Sequence, residues 1–160
     1  MSAQTKKIYL LDTNVLINLY IWLPIHLNNV FWSKLGECLK NGEWVLLDAV
    51  VNEIIYQPEL KKWCAEQKRL GLIKAITEDH KNRGVEINNQ YPMIDISTSK
   101  STVDTYLIAY AEANKLVIFS RESPRKKSTD LFKIPDVCTL LKVERIKEPK
   151  VFLETLCFKN

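Results

Sequence analysis

The sequence is short of glycine. Its 160 residues contain only 4, and none stands in a G-x-G-x-x-G, Walker or G-x-S-x-G setting. This leaves out a dinucleotide fingerprint, a glycine-rich phosphate loop, a serine-hydrolase elbow and a flexible linker. The 2 histidines, His26 and His80, have no acid or cysteine at a useful spacing, so histidine-centred metal or nucleophile chemistry lacks its parts. The 4 cysteines, Cys38, Cys64, Cys138 and Cys157, form no metal-ligand or redox pair. With no secretory signal before them, they read as thiols in a reducing cytoplasm. The first apolar run, Ile8–Ile17, is interrupted by Asp12 and Asn14 and is not a signal segment. No stretch approaches the roughly 20 apolar residues of a membrane span. The expectation is a soluble cytoplasmic protein, with no membrane partner, repeats or low-complexity segment.

A hydrophobic content of 46% and a charged content of 26% are ordinary for a globular chain, and the length suits a single domain over residues 1–160. The net charge of +4 is unevenly spread: the first 60 residues hold 4 basic and 6 acidic side chains, the remaining 100 hold 19 and 13. Such asymmetry suits a polyanionic partner, and equally a solvated basic surface.

The chain is organised around Ile8-Tyr9-Leu10-Leu11-Asp12-Thr13-Asn14-Val15-Leu16-Ile17. Four apolar residues running into polar ones suit a strand buried on both faces of a parallel sheet. Thr13 and Asn14 are N-cap candidates for the helix that follows. Asp12 then falls at the carboxyl end of a central strand, where open α/β sheets place their ligands.

Val15–Leu23 is apolar nearly all round and predicts a helix covered by the sheet or by a partner. Phe31, Trp32, Leu35, Cys38 and Leu39 repeat at helical spacing. Trp44–Leu47 reads as a second strand, followed by Asp48. A helix from about Val50 carries Glu53 in its early turns, and Pro58 breaks or restarts it ahead of Leu60–Leu70. Ile73, Ile76, Val85 and Ile87 supply one amphipathic helix within a polar stretch. Ser101–Asp104 has the form of a helix-start box, with Val103, Leu107, Tyr110 and Ala111 as its apolar stripe. Leu116–Phe119 is a third strand and Ser123–Lys133 a basic loop. A short helix from Ile134 to Leu141, an edge strand at Val143–Ile146 and a closing helix at Val151–Cys157 complete the chain. Alternating strands and helices imply right-handed crossovers and a parallel sheet with helices on both faces. The Trp and Tyr residues sit mostly at core spacing and read as packing, not as base-stacking platforms.

Acids recur after the strands: Asp12, Asp48 and Glu122. Glu53 and Asp104 follow a strand or start a helix. In a parallel sheet these positions share one edge. Two carboxylates ~4 Å apart repel by roughly 4 kcal/mol at an effective dielectric near 20. Several together therefore need a divalent cation or a proton, and magnesium or manganese suits an all-oxygen site. Taken singly, Asp104 reads as a box carboxylate, Glu53 as a helix-dipole partner, Glu122 as a loop acid, and Asp48 and Asp136 as caps. Asp12 is different, because an acid between two apolar segments is costly unless something compensates it.

Four blocks together resemble the PIN domain: Leu11-Asp12-Thr13-Asn14-Val15; Val51-Asn52-Glu53-Ile54; the run Val103–Ala111 containing Asp104; and Val117-Ile118-Phe119-Ser120-Arg121-Glu122. They cover nearly the whole chain in order and spacing. Lys133–Cys138 further resembles the tail of a little-characterised PIN-like prokaryotic subfamily. The resemblance implies a Rossmann-like three-layer α/β/α sandwich and a Mg2+- or Mn2+-dependent ribonuclease. Asp12, Glu53, Asp104 and Glu122 match the metal-gathering positions, Asn14 the residue that supports the first acid, and Ser120 the one that assists the fourth. Many VapC-like bacterial members are toxins of toxin–antitoxin pairs, inhibited by a small partner protein and often dimeric. One departure stands out: the family form Thr-x-Asp is here Ser120-Arg121-Glu122. Glu is longer by a methylene, which leaves open whether it ligates directly or through water.

The expected function is a metal-dependent endoribonuclease, with Arg121, Arg125, Lys126, Lys127 and Lys133 tracking the RNA backbone. The same loop read blandly is a solvated segment. Two rivals remain. One is a catalytically weak PIN-like module that holds RNA or a protein without cutting either. The other is a phosphotransferase using Asp12 as nucleophile, against which stands Asn14 where a second acid is usual.

Overall fold

A computed structural model describes residues 6–148 together with Lys150 and Glu154. The expected closing helix Val151–Cys157, apart from Glu154, lies outside the described residues, as does Cys157. The chain folds as an α/β sandwich with an all-parallel four-stranded sheet. The two central strands are the two most continuous apolar runs. β1 (Tyr9–Leu11) and β3 (Val117–Phe119) are buried at every position, as strands covered on both faces must be. β2 (Trp44–Val45) flanks β1, and β4 (Arg145–Ile146) flanks β3 as the half-buried edge strand.

The order β2-β1-β3-β4 fixes where a ligand can go. From β1 the chain crosses to β2 on one side, then returns past β1 to β3 on the other. The direction reverses between β1 and β3, and their carboxyl ends meet at this switch point. The Asp12 amide donates to the Phe119 carbonyl at 3.1 Å, which extends the pairing one residue beyond the strands. Beyond β2, Leu47 bridges to Lys74 in parallel, so the expected Trp44–Leu47 strand is shorter as a ladder but continues in direction.

Among the described residues, seven α-helices surround the sheet. α1 (Thr13–Trp22) starts two residues before the expected Val15, with Asp12 as its N-cap in place of Thr13 or Asn14. Its apolar character does not translate into full burial. Val15, Leu16 and Leu19 are buried, but Ile21 is 60% and Trp22 48% exposed. After a short 3-10 turn (Ile25–Leu27), α2 (Asn29–Lys40) buries the predicted Phe31, Trp32, Leu35, Cys38 and Leu39. α3 (Asp48–Asn52) is short and starts at Asp48, so Glu53 caps its end and does not occupy its early turns. Pro58 opens α4 (Pro58–Arg69) at the one helical position where its missing N–H costs nothing. α5 spans Glu78–Gln90, preceded by Thr77, which accepts from the His80 amide. α6 (Thr102–Asn114) and α7 (Ile134–Leu141) follow, on either side of β3.

α6 carries Asp104, and α5 holds α6 in place. Arg83 donates through Nε and Nη2 to both oxygens of Glu112, at 2.7 and 3.0 Å. A two-pronged pair of this kind fixes orientation as well as separation. Next to it, Gly84 lets the helices close. A Cβ there would stand 2.9 Å from Thr105 Oγ1 and 3.0 Å from Tyr106 Cδ1. The Thr105 hydroxyl is already committed to the Thr102 carbonyl at 2.7 Å and cannot swing away without losing that bond. Gly84→Ala is therefore expected to destabilise the protein. Overpacking of about 1–3 kcal/mol outweighs the roughly 1 kcal/mol that Ala contributes through helix propensity. Urea unfolding should show a lower midpoint at an unchanged slope.

Candidate active site

Asp12 is 4% exposed, which is exceptional for an acid. Its burial follows from its position, between β1 and the first turn of α1 at the switch point. Its Oδ2 accepts from Ser120 Oγ at 3.0 Å, and the same Oγ accepts from the Glu122 amide at 3.2 Å. A single buried hydroxyl thus ties the ends of β1 and β3 together. The segment after β3 is also held from behind. Arg145 Nη1, from the edge strand, donates to the carbonyls of Ser120 and Glu122 at 3.1 and 3.2 Å. The Glu122 Oε2 accepts from the Ile134 amide at 3.2 Å, at the start of α7. There the positive end of the helix favours a carboxylate.

The other two acids come from outside the sheet. Glu53, at the end of α3, accepts from Thr13 Oγ1 at 2.6 Å, so the residue after Asp12 reaches out to hold the second acid. Asp104 lies in the first turn of α6, where the nearby Ser101 side chain partly offsets the rise of its carboxyl. The expected box at Ser101–Asp104 does not form. Ser101 has φ 76 and its side chain bonds no backbone amide of the helix start. Left-handed backbone at a non-glycine residue is strained, and here it stands beside a functional candidate. Asp104 is not the capping carboxylate that its spacing suggests.

The four acids lie near enough for their charges to act on one another. Burial pushes the Asp12 carboxyl up to about 6. The charges of Glu122 and Glu53 add to this, and the Ser120 hydrogen bond opposes it. Asp104 is driven further, to about 8, first by burial and then by the charges of Asp12, Glu122 and Glu53. Asp12 is buried, Asp104 and Glu122 are half-buried, and Glu53 is exposed.

The donor chemistry fits a hard divalent cation, because every group is a carboxylate oxygen and two of them are raised toward protonation, first by burial and then by the neighbouring charges. Among the described residues, no three His, Cys, Asp or Glu side chains are placed to grip an ion directly. The fit is therefore to an ion that keeps several waters and takes one or two carboxylates, as magnesium commonly does. Beside Glu53 opens a cleft of about 350 Å3, lined in part by Asn52, Ile76, Lys81 and Tyr106.

Several candidates stand elsewhere. Asn14 is exposed on α1 and makes no hydrogen bond to Asp12; Thr13 and Ser120 do the supporting. Thr13 reads from sequence as an N-cap candidate and not as the partner of Glu53, and Arg145 escaped the sequence reading, since an arginine on an edge strand is unremarkable until the fold joins it to the segment after β3. Asp48 accepts from the amides of Ala49 and Ile76, and Asp136 from those of Arg125 and Lys133, so both are structural. Arg125 is taken up by its own loop: it donates to the carbonyls of Ser128 and Asp130 and covers the Phe132 ring at 3.7 Å. Lys126, Lys127 and Lys133 are exposed, without ion pairs among the described residues. His26 meets Glu59 at 3.1 Å, and His80 caps α5, both apart from the acids.

The molecule is thus an open parallel α/β protein with an acidic centre at its switch point. The family described as "Domain of unknown function (DUF4411)" matches residues 9–157, and the chain belongs to that family. No curated protein matches it.

The raised carboxyls carry a pH signature. A carboxyl raised on folding keeps its proton where the unfolded chain has lost it, so stability falls as pH rises from about 4 to about 8 and then levels. Asp104→Asn removes that penalty. It should raise the melting temperature at pH 8.5 by the equivalent of about 1–3 kcal/mol, allowing for screening of a half-buried group, and change it little at pH 4.

Proposed function

We propose that this protein is a Mg2+- or Mn2+-dependent endoribonuclease that hydrolyses RNA phosphodiester bonds. The observation that carries the reading is the convergence of Asp12, Glu53, Asp104 and Glu122 at the β1/β3 switch point, with two of them forced toward protonation. Such a centre is poised to exchange protons for a cation. Asp12 and Asp104 would hold the ion, with Glu53 and Glu122 contributing through water. A bound divalent cation supplies Lewis acidity toward phosphate and a water of lowered pKa. The chain's own residues supply preorganisation: Ser120 orients Asp12, Thr13 orients Glu53, and the start of α7 orients Glu122. The resemblance of these four blocks to the PIN domain supports the same reaction.

RNA would lie along the basic segment after β3. Arg121, Lys126, Lys127 and Lys133 are exposed, whereas Arg125 is held within the loop. The cytoplasm is the proposed setting. Cys38, Cys64 and Cys138 are buried and form no disulfide, and burial pushes the thiols of Cys64 and Cys138 up to about 12, beyond easy oxidation. No helix among the described residues is long and apolar enough to cross a membrane. We further propose the toxin half of a toxin–antitoxin pair as the biological role. The exposed Ile21, Leu27 and Val30 offer an apolar surface to an antitoxin protein or to a second copy in a homodimer.

A second reading is favoured by one feature. Glu122 is longer than the Asp of the Thr-x-Asp form, and one of its oxygens is already occupied by the Ile134 amide. If this leaves the centre too loose for turnover, the protein is a PIN-like module that binds RNA or a protein without cutting. Incubation of a mixed structured RNA pool with Mg2+, Mn2+ or chelator decides between them. Cleavage should require metal and fall at least 100-fold in Asp12→Asn and in Asp104→Asn, as loss of a major charge-stabilising group does. Folded wild-type protein that binds the pool but cuts none of it in either metal establishes the module instead. The salt slope of RNA binding should lie near −2.8, about −0.7 for each of the four exposed cations. A slope near zero removes the loop from the RNA path.

A further inference from the structure

Arg121 and Trp22 form a pair that the acidic centre does not use. Trp22 ends α1 and is 48% exposed. The Arg121 guanidinium carbon lies 4.8 Å from the centre of its ring, the geometry of a cation–π contact. Arg121 stands between Ser120 and Glu122, whose side chains serve the acidic centre. Its own side chain goes the other way, to the indole. A large aromatic left half in solvent, beside an arginine one residue removed from two site residues, combines the two groups that single-stranded nucleic acid needs. One stacks on a base and the other pairs with a phosphate. The other tryptophans lack this setting: Trp32 and Trp44 are buried, and Trp63 packs edge-on against Trp32 at 5.1 Å.

We infer that Trp22 and Arg121 form a base-stacking platform that seats a nucleotide of single-stranded RNA flanking the bond to be cut. The inference rests on the nucleic-acid reading above and deepens it: the substrate is single-stranded where it leaves the acidic centre. The base stacks on the indole, and the guanidinium turns to the neighbouring phosphate. Because stacking needs a π-face and not a particular hydrogen-bond pattern, the platform orders the strand without choosing its sequence.

The test uses the full chain in chelator, so that binding is read apart from cleavage, with a labelled eight-nucleotide RNA and an abasic sugar-phosphate chain of equal length. Trp22→Ala should weaken RNA binding roughly 5- to 150-fold with an unchanged salt slope, since stacking releases no counterions. Trp22→Phe should recover most of the loss. Arg121→Ala should instead flatten the slope by about 0.7. The abasic chain should bind wild type and Trp22→Ala alike. RNA binding that Trp22→Ala leaves unchanged overturns the inference and makes Arg121 a mere cover for the ring. Equal losses for RNA and the abasic chain overturn it too. Trp22-dependent binding without metal-dependent cleavage leaves the platform standing and removes the nuclease. Cleavage that requires Asp12, with binding indifferent to Trp22, does the reverse.

Discussion

Like charges held together out of water are the constraint on which the rest of the molecule depends. Burial and mutual repulsion lift Asp12 to about 6 and Asp104 to about 8, in a fold that otherwise buries apolar side chains. A carboxylate pair in such surroundings destabilises the folded state unless a proton or a cation answers it. The sheet, its flanking helices and their hydrogen bonds hold these groups where they do not relax on their own. This is the pattern of a functional centre, in which local strain is maintained by the structure around it.

The devices that hold the acids are economical. Three of the four carboxylates have a donor: the Ser120 hydroxyl for Asp12, the Thr13 hydroxyl for Glu53, and the Ile134 amide for Glu122. The strands contribute through their ends, Asp12 after β1 and Ser120 after β3. Helices α3 and α6 bring the remaining acids in through their termini. Arg145 fixes the backbone after β3, and the Arg83–Glu112 pair fixes α6 against α5. Side chains held in this way spend no reorganisation when charge develops at the site.

The framework was legible in the sequence where one force dominated. Leu10-Leu11 and Val117-Ile118-Phe119 are continuous apolar runs that admit little besides a strand buried on both faces, and the acids after them follow by topology. Less was legible where tertiary contacts decide. Glu53 fits an early helical turn by pattern, but α3 begins at Asp48, so the acid closes the helix. Ser101–Asp104 has the letters of a capping box, yet Ser101 is left-handed and its side chain bonds no amide of the helix start. Trp22 sits in an apolar segment and reads as core. Its exposure depends on how α1 leaves the sheet, which composition does not encode. Thr13 and Arg145 gained significance only once strands distant in sequence lay side by side.

The central claim is that the four acids form a cation centre, and proton release on metal binding tests it most directly. Titrating Mg2+ or Mn2+ calorimetrically in buffers of different ionisation heat reports the protons displaced. With Asp104 near 8, binding at pH 7 should release about one proton, falling toward none at pH 9, and Asp104→Asn should abolish the release. Binding without proton release at pH 7, or no binding of either ion, would contradict the account.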